Sequence, residues 1–332
     1  MDKKVDKAVD IAKFIMSIFI VGIHSHIEYV IPDGIGRFYV LSVFLRSAVP
    51  FFFVVSGYYL GKKIWNQSLV ESKKSVLKYI QKLVVPFLFW STISLLIYLP
   101  TIHETCESNL EFVAKIIRQA IFYPVGAMWF VLACMVGAYI IHIFWNHKRL
   151  AVIFAIVLYG VALLGNNYFF LLSNTKYMDL MLKVIISTRN GLFVGFPFML
   201  IGALLAKPKM IDGWKYKYVI SVLIIAFILL SIETYVVYGR PYNDDRSLFV
   251  LWLLFIPCLV VVLLKTKVSM RIRTTRFRKF STVLYFSHRF FMSIISMIVS
   301  DIHFGILFFV PILCSWGLYM GIMKTRVKKL FF

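Results

Sequence analysis

The chain has 332 residues, of which 61% are hydrophobic and 16% charged, and its mean hydropathy of +0.83 is far above that of a soluble domain. This composition excludes a soluble globular enzyme and indicates an all-α integral membrane protein, because helices satisfy their backbone hydrogen bonds within lipid. The net charge of +22 would suit a nucleic-acid partner, but the cations cluster in the stretches between apolar segments, so no nucleic acid is expected.

The apolar segments predict about ten transmembrane helices packed in one bundle. Their approximate ranges are 9–31, 39–60, 80–100, 124–145, 150–172, 190–206, 217–238, 247–264, 281–300 and 305–323. Most of the 37 Lys and Arg residues fall on the side that carries both ends of the chain, where the strongly basic loop 265–280 also lies. The positive-inside rule therefore predicts a multi-pass protein of the plasma membrane with both termini in the cytoplasm. We expect residues 1–332 to form a single transmembrane domain without a soluble domain.

The first predicted span contains ionisable residues on one helical face. Lys13 precedes His24 by eleven residues, which places the two on one stripe, about 16 Å apart along the axis. A charged group at that depth costs about 2.5 kcal/mol or more, so a functional role for His24 is the first hypothesis. A snorkelling lysine and a histidine bonded within the bundle are the structural alternative. Glu28, four residues after His24, is either an orienting partner of the imidazole or an acid at headgroup level.

The second predicted span carries Arg46 near its outer end. Because spans one and two are antiparallel, Arg46 and His24 should lie at a similar depth, each about 10 Å below the outer end of its span. A permanently charged guanidinium there needs anionic or hydrogen-bonding partners. The next segment, PFFFVVSGY at residues 50–58, predicts a kinked helix with a close helix contact.

Later spans add three candidates. Trp129, in the outer third of span four, suits either a substrate wall or an aromatic belt at the membrane interface. Span six, 190–206, is short and interrupted by glycines and a proline, which predicts a kinked or broken helix. In span nine, His288 and Arg289 should lie about 10 Å from the cytoplasmic side, and Arg289 should face protein or water.

Neither a metal site nor a disulfide framework is indicated. The four cysteines, Cys106, Cys134, Cys258 and Cys314, form no close pair in the sequence. The apolar spans show no Ser-His-Asp order and no glycine-rich phosphate loop. Any chemistry must therefore rest on His24 as an acid or base, with cations to hold an anion.

Together these residues resemble the acyltransferase 3 family of integral membrane acyltransferases. The resemblance rests on the early intramembrane His24 with a cation eleven residues before it, and on Arg46 followed by segment 50–58. The segments MWFV at 128–131 and YFSH at 285–288 add to it. The chain also resembles the membrane domain of vancomycin-resistance serine racemases, a branch of this family connected with antibiotic resistance.

The resemblance implies transfer of an acyl group, usually acetyl, from cytoplasmic acyl-CoA to a hydroxyl of an extracytoplasmic glycan or small molecule. In this interpretation acetyl-CoA is a co-substrate, and no cofactor is bound permanently. His24 is the general base, and Glu28 and Arg46 complete the catalytic set. The cations expected to bind the donor are Lys13, Lys78, Lys82, Arg271, Arg273 and Arg276, and the residues expected to bind substrate are Trp129, His288 and Arg289.

Two positions depart from the family pattern. Lys13 stands where the family commonly has Arg, and Lys78 with Lys82 is the nearest equivalent of its Arg-x-x-Arg. A Lys binds phosphate as a point charge without the bidentate geometry of Arg.

A transporter or binding domain for a small polar solute such as L-serine is the alternative function, with Arg46 holding the carboxylate. The basic loop 265–280 suits the phosphates of a ligand as well as anionic lipid headgroups. Membrane lipids are therefore expected partners in either case.

Overall fold

The structure is a computed structural model that describes residues 6–27, 30–269, 273–299, 303–326 and 328. These residues form helices and connecting turns and contain no β-strand. In chain order the α-helices are α1 (Lys7–His24), α2 (Ile35–Tyr39), α3 (Ala48–Ile64), α4 (Leu69–Glu104), α5 (Asn109–Phe122), α6 (Trp129–Phe144), α7 (Lys148–Leu164), α8 (Lys176–Ile185), α9 (Phe196–Leu205), α10 (Tyr216–Val237), α11 (Trp252–Lys265), α12 (Thr275–Ile298) and α13 (Phe304–Lys324). Two π-helical segments, Val40–Leu45 and Gly191–Gly195, precede α3 and α9, and a short 3-10 helix covers Phe169–Leu171.

Within the described ranges, four helical segments are long and apolar enough to cross a membrane. They are Ile35–Ile64, Leu69–Glu104, Tyr216–Val237 and Phe304–Lys324. Shorter apolar helices (α6, α11 and the segment Gly191–Leu205) belong to the same bundle, and large apolar side chains on its outer faces are exposed. Exposed apolar surface of this extent suits a lipid environment. The all-α prediction is confirmed, and the number and orientation of the spans stay predictions.

The bundle has two chemically different ends. Lys7, at the start of α1, and Arg278, near the start of α12, mark the end that we call the basic end. The opposite end carries the loop 238–251 between α10 and α11, together with the C-terminal end of α1, and we call it the loop end.

The tightest helix contact joins α3 and α9. A Cβ on Gly57 would overlap the carbonyl oxygen of Met199, and one on Gly202 would overlap that of Val54, so the two backbones touch. Glycine at both positions permits this approach. The close contact predicted for segment 50–58 is therefore confirmed, and the predicted interruption near residue 190 is present as the π-helical segment that leads into α9.

The first helix ends earlier than the sequence predicts. Its apolar pattern continues to about residue 31, yet α1 stops at His24 because the Ser25 hydroxyl turns back to the Gly22 carbonyl (3.0 Å) and His26 adopts a left-handed φ of 57°. His24 therefore lies at the very end of a helix, and the prediction that it lies 10 Å inside one is wrong.

The twelfth helix begins earlier than expected. It starts at Thr275, because Thr274 bonds to the Asp10 carboxylate (3.2 Å) and Arg278 lies 3.6 Å from the same carboxylate. His288 is thirteen residues into α12, which corresponds to about 20 Å of helix. His288 and Arg289 thus reach the level of His24 and lie farther along their helix than the predicted start of span nine at residue 281 implied. Their distance from the cytoplasmic side stays a prediction.

Candidate functional site

A cavity of about 290 Å³, which we call the outer cavity, opens at the loop end of the bundle. Its walls come from α1, the start of α3, α6, α11, α12 and the loops around residues 123–127, 189 and 245–248. It is lined by Ile20, Ile23, His24, Arg46, Val49, Pro50, Tyr123, Gly126, Ala127, Trp129, Phe130, Arg189, Val194, Asp245, Ser247, Leu248, Trp252 and Tyr285. The structure thus brings together His24, Arg46 and Trp129, which the sequence placed on three different spans.

The His24 imidazole packs against that of His288, with ring centroids 5.5 Å apart and the planes inclined by 27°. His288 is completely buried, and its Nδ1 lies 2.6 Å from the carbonyl oxygen of Tyr285 and 3.1 Å from that of Leu284. A carbonyl oxygen only accepts, so Nδ1 carries the proton and Nε2 has the lone pair. His288 is therefore a fixed ring behind His24 and does not itself line the outer cavity. Glu28 lies outside the described residues.

The Arg46 guanidinium reaches from the start of α3 to the loop at residues 245–246. Its Nη1 donates to the carbonyl oxygens of Asp245 and Arg246, and Nη2 lies 3.8 Å from the Asp245 carboxylate. The π-helical turn before it is closed by the bond from the Arg46 N–H to the carbonyl of Leu41 (2.9 Å). π-Helical insertions often occur at functional sites, where they redirect a side chain. Among the described atoms, the buried Nε of Arg46 has no hydrogen-bond partner.

A second guanidinium, that of Arg189, completes the polar side of the cavity. It donates hydrogen bonds to the Asp244 carboxylate through Nε (3.0 Å) and Nη2 (2.9 Å), and its Nη1 lies 2.7 Å from the carboxylate of Asp245. It also lies over the rings of Tyr123 and Trp129, at 5.5 and 5.7 Å from their centroids. The sequence does not single out Arg189 or the two aspartates as site residues. Their only signal is an Arg directly before a glycine-interrupted span and an Asp pair between two later apolar segments.

The charged side chains at the outer cavity belong to a balanced cluster of four residues. Arg46, Arg189 and Asp245 line the cavity, and Asp244, which lies outside its lining, pairs with Arg189, so the cluster has no formal net charge. Burial alone would raise the pKa of the Asp245 carboxyl, but Arg189 and then Arg46 hold it below its usual value. The loop aspartate is therefore ionised at neutral pH. A charge-balanced cavity of this kind suits a neutral or zwitterionic compound better than a polyanion.

A second cavity, of about 350 Å³, lies toward the basic end, and we call it the basic cavity. It is lined by Lys13, Phe52, Ser56, Tyr79, Leu83, Phe130, Val131, Cys134, Arg278, Lys279, Ser281, Thr282, Tyr285 and Phe286. Lys13 lies 4.8 Å above the ring of Tyr59, whose hydroxyl donates to Asp6 (2.9 Å). Three cations in one wall suit an anionic ligand such as a phosphate ester.

The predicted donor-binding cations divide into those that reach this cavity and those that do not. Lys13 lines it. Lys78, Lys82, Arg273 and Arg276 are exposed and do not line it, and Arg271 lies outside the described residues. On α4 the adjacent residues Tyr79 and Leu83 face the cavity instead. Of the basic stretch that leads into α12, the residues in the wall are Arg278 and Lys279.

Arg289 lines a third cavity of about 240 Å³, which we call the side cavity. Its Nη2 donates to the hydroxyl of Tyr98 (2.7 Å), so Arg289 faces protein, as predicted. His24 lines the side cavity as well as the outer cavity. Two spaces therefore meet at the same imidazole.

Comparison with known proteins identifies the class. The model of the family described as an acyltransferase domain matches residues 6–320, and the chain belongs to this acyltransferase 3 family of membrane-embedded proteins. Among curated proteins it is similar to a serine/alanine racemase of Enterococcus gallinarum, with 26% identity over 75% of this chain and 36% of that protein. It is also similar to an amino-acid racemase of Enterococcus faecalis, with 24% identity over 77% of this chain and 35% of the relative. The chain thus spans about a third of the length of these relatives, and no solved structure matches it significantly.

Proposed function

We propose that the protein is an acyl-CoA-dependent O-acetyltransferase of the plasma membrane, with both termini in the cytoplasm. The single observation that carries this proposal is the pair of cavities at opposite ends of one bundle. One has a cationic wall, and the other is charge-balanced and contains a histidine. A polyanionic donor and an uncharged hydroxyl acceptor need two sites that differ in this way.

The donor would enter at the basic end. Lys13, Arg278 and Lys279 would hold the phosphates of CoA, since ammonium and guanidinium groups form charge-assisted hydrogen bonds with phosphate oxygens. The pantetheine arm would extend toward the outer cavity. CoA carries too much charge to cross a bilayer unaided, so the basic end must face the cytoplasm in this proposal.

The transfer would take place in the outer cavity. His24 removes the proton from the acceptor hydroxyl as its oxygen attacks the thioester carbonyl. The carbon–sulfur bond then breaks, and the CoA thiolate leaves with the proton that His24 returns to it. Arg46, whose Nε is unpaired among the described atoms, would stabilise the oxyanion. Transfer is direct, because the Ser25 hydroxyl beside His24 is bonded to Gly22 and Cys134 lies in the other cavity.

The test is release of CoA by the purified protein from acetyl-CoA, with a panel of neutral hydroxyl acceptors and L-serine. The wild type should release CoA and form an acetylated product. His24→Ala should abolish both while remaining monodisperse in detergent, and the matched control His103→Ala, at an exposed position on α4, should leave both intact. Full turnover by His24→Ala would remove His24 from the catalytic role.

A second candidate function is a binding or transport domain for a free amino acid. It is favoured by one observation: Arg46 and Asp245 face the same cavity, and a guanidinium with a carboxylate matches the two charges of a zwitterion. The relatives act on amino acids by name, although this chain covers only a third of them. Uptake of labelled L-serine into proteoliposomes without acetyl-CoA consumption would support transport, and acetylation without uptake would support the enzyme.

A further inference from the structure

The outer cavity and the basic cavity are neighbours with a common wall. Among the described residues, Phe130 on α6 and Tyr285 on α12 line both. Their rings meet nearly edge to face, with centroids 5.4 Å apart and the planes inclined by 63°. The two side chains therefore form the partition between the cationic and the charge-balanced space.

The partition is held from three helices. The Tyr285 hydroxyl donates to the carbonyl oxygen of Ala127, which ties α12 to the loop before α6. The ring of Phe130 packs at 4.5 Å against that of Phe53 on α3, which is fully buried. Tyr285 is held by this hydrogen bond and by ring contacts with Phe130, Phe286 and His288, which are reversible restraints. Phe130 instead packs against Phe53, which is fixed within the core. Tyr285 is the member of the partition that a side-chain rotation releases.

We infer that Phe130 and Tyr285 form a gate that is opened by the pantetheine arm of the acyl donor, an inference that rests on the proposed function. When the Tyr285 ring turns aside, its hydroxyl and the Ala127 carbonyl are left as one donor and one acceptor. These match the amide groups of a pantetheine arm, which replaces the broken bond with new ones. A polar solute without such an arm leaves the gate closed.

The gate adjoins the catalytic imidazole. The carbonyl oxygen of Tyr285 accepts the His288 Nδ1–H at 2.6 Å, and the His288 ring stacks on His24. The thioester that passes Tyr285 therefore arrives one helical turn from the His24–His288 pair. A closed gate also keeps a thioester in the basic cavity away from His24 and from water that enters the outer cavity, and so prevents hydrolysis of the donor to acetate and free CoA.

Thiol labelling tests the gate without relying on catalysis. The variant Val49→Cys, with all four native cysteines replaced by Ser, has a single thiol in the wall of the outer cavity. A membrane-impermeant methanethiosulfonate applied only at the basic end of oriented proteoliposomes should leave this thiol unmodified. Adding Phe130→Ala or Tyr285→Ala should speed labelling at least about tenfold, and Tyr285→Phe, which keeps the ring but loses the hydroxyl, should give a smaller increase.

Two matched controls frame this experiment. Leu83→Ala enlarges the basic cavity alone, because Leu83 lines that cavity and not the outer one, so it should not expose Val49→Cys. Thr282→Cys in the same cysteine-free background places a single, partly exposed thiol in the basic cavity and should be labelled with the gate intact. Equal labelling of Val49→Cys with intact and truncated gates would overturn the inference, and so would a Thr282→Cys thiol that the reagent never reaches.

Acetyl-CoA hydrolysis without an acceptor adds an independent measurement. Tyr285→Ala should hydrolyse acetyl-CoA several-fold faster than the wild type, with water replacing the acceptor hydroxyl. Unchanged hydrolysis together with increased labelling would keep the gate but contradict the donor route of the proposed function. The labelling experiment can therefore contradict the gate without contradicting the proposed function, and the His24→Ala experiment can contradict the proposed function without contradicting the gate.

Discussion

His24 ends the first helix and stacks on His288, which is thirteen residues into α12 and has its Nδ1 proton directed at the Tyr285 carbonyl. A neutral ring fixed by a backbone carbonyl restricts the orientation of the ring packed against it. His288 is therefore a positioning residue, and we expect it to act on the reaction through His24.

Replacing His288 should affect turnover more than donor binding. His288→Phe keeps an aromatic ring behind His24 but removes the Nδ1 donor, so kcat should fall about tenfold while the KM for acetyl-CoA stays the same. The pH dependence of kcat should also shift, because the environment of His24 changes. A raised KM with an unchanged kcat and pH profile would contradict the positioning role.

Lys13 should contribute to binding of the acyl donor and not of the acceptor, because it lines the basic cavity and not the outer cavity. Lys13→Ala should raise the KM for acetyl-CoA about tenfold, the effect of losing one charge-assisted contact. Lys13→Arg should retain most of the affinity, and the exposed control Lys73→Ala on α4 should behave like the wild type. If Lys13→Ala bound acetyl-CoA normally, Lys13 would be only a snorkelling anchor.

Asp245 should stabilise the loop end in a pH-dependent manner. Asp245→Asn leaves Arg189 and Arg46 with one carboxylate fewer, which should cost about 1–3 kcal/mol of unfolding free energy for a half-buried pair at neutral pH. The folded-state pKa of Asp245 lies below its usual value of about 3.9. Its contribution is therefore complete above the unfolded-state pKa and is lost as the pH falls through the lower folded-state pKa.

Thermal unfolding of the wild type and Asp245→Asn from pH 7 to pH 3 measures this contribution. The difference in Tm should be constant near neutrality and should shrink at the acid end. Asp33→Asn is the matched control, because Asp33 pairs with Arg37 at an exposed site and its side chain is 86% exposed. A Tm difference that stayed the same down to pH 3 would show that ionisation of Asp245 is not what stabilises the loop.

The crossing of α3 and α9 should not tolerate a methyl group. Gly57→Ala places a Cβ on the Met199 carbonyl and should destabilise the protein by about 1–3 kcal/mol or more, because neither backbone can yield. Gly160→Ala on α7 is the matched control, since a Cβ there has nothing within 4 Å and should stabilise the helix slightly. Equal Tm values for the two variants would contradict the packing.

The sequence located the apolar helical segments well and several of their ends poorly, among them the end of α1, the starts of α4 and α12 and the end of α7. Hydropathy locates apolar segments, but it cannot detect that α1 stops at His24, because apolar residues such as Ile27 and Val30 continue the pattern beyond the turn. The basic residues at the start of α12 were predicted as part of a loop, because the contact of Arg278 with Asp10 that accompanies the first helical turn joins distant parts of the chain.

The candidate site was predicted only in part, because contacts between distant parts of the chain are not visible in the sequence. Single residues that are costly in a membrane, such as His24 and Arg46, stand out in a sequence. Ion pairs between distant residues do not stand out in a sequence. The contact of Arg189 with Asp244 joins two polar loops, and neither loop is unusual by itself. The stripe from Lys13 to His24, which the sequence predicted on one face of α1, connects the two cavities. Lys13 lines the basic cavity and His24 lines the outer cavity.

The most direct test of the account is the side from which the donor is consumed. In proteoliposomes of uniform orientation, acetyl-CoA should be consumed only when it is supplied at the face where the basic segment 265–280 is accessible to protease. The acetylated acceptor should appear only when the acceptor is present at the opposite face. Consumption of acetyl-CoA supplied solely at the face that carries Asp244 and Asp245 would contradict the donor route, the role of the basic cavity and the cytoplasmic assignment of the basic end.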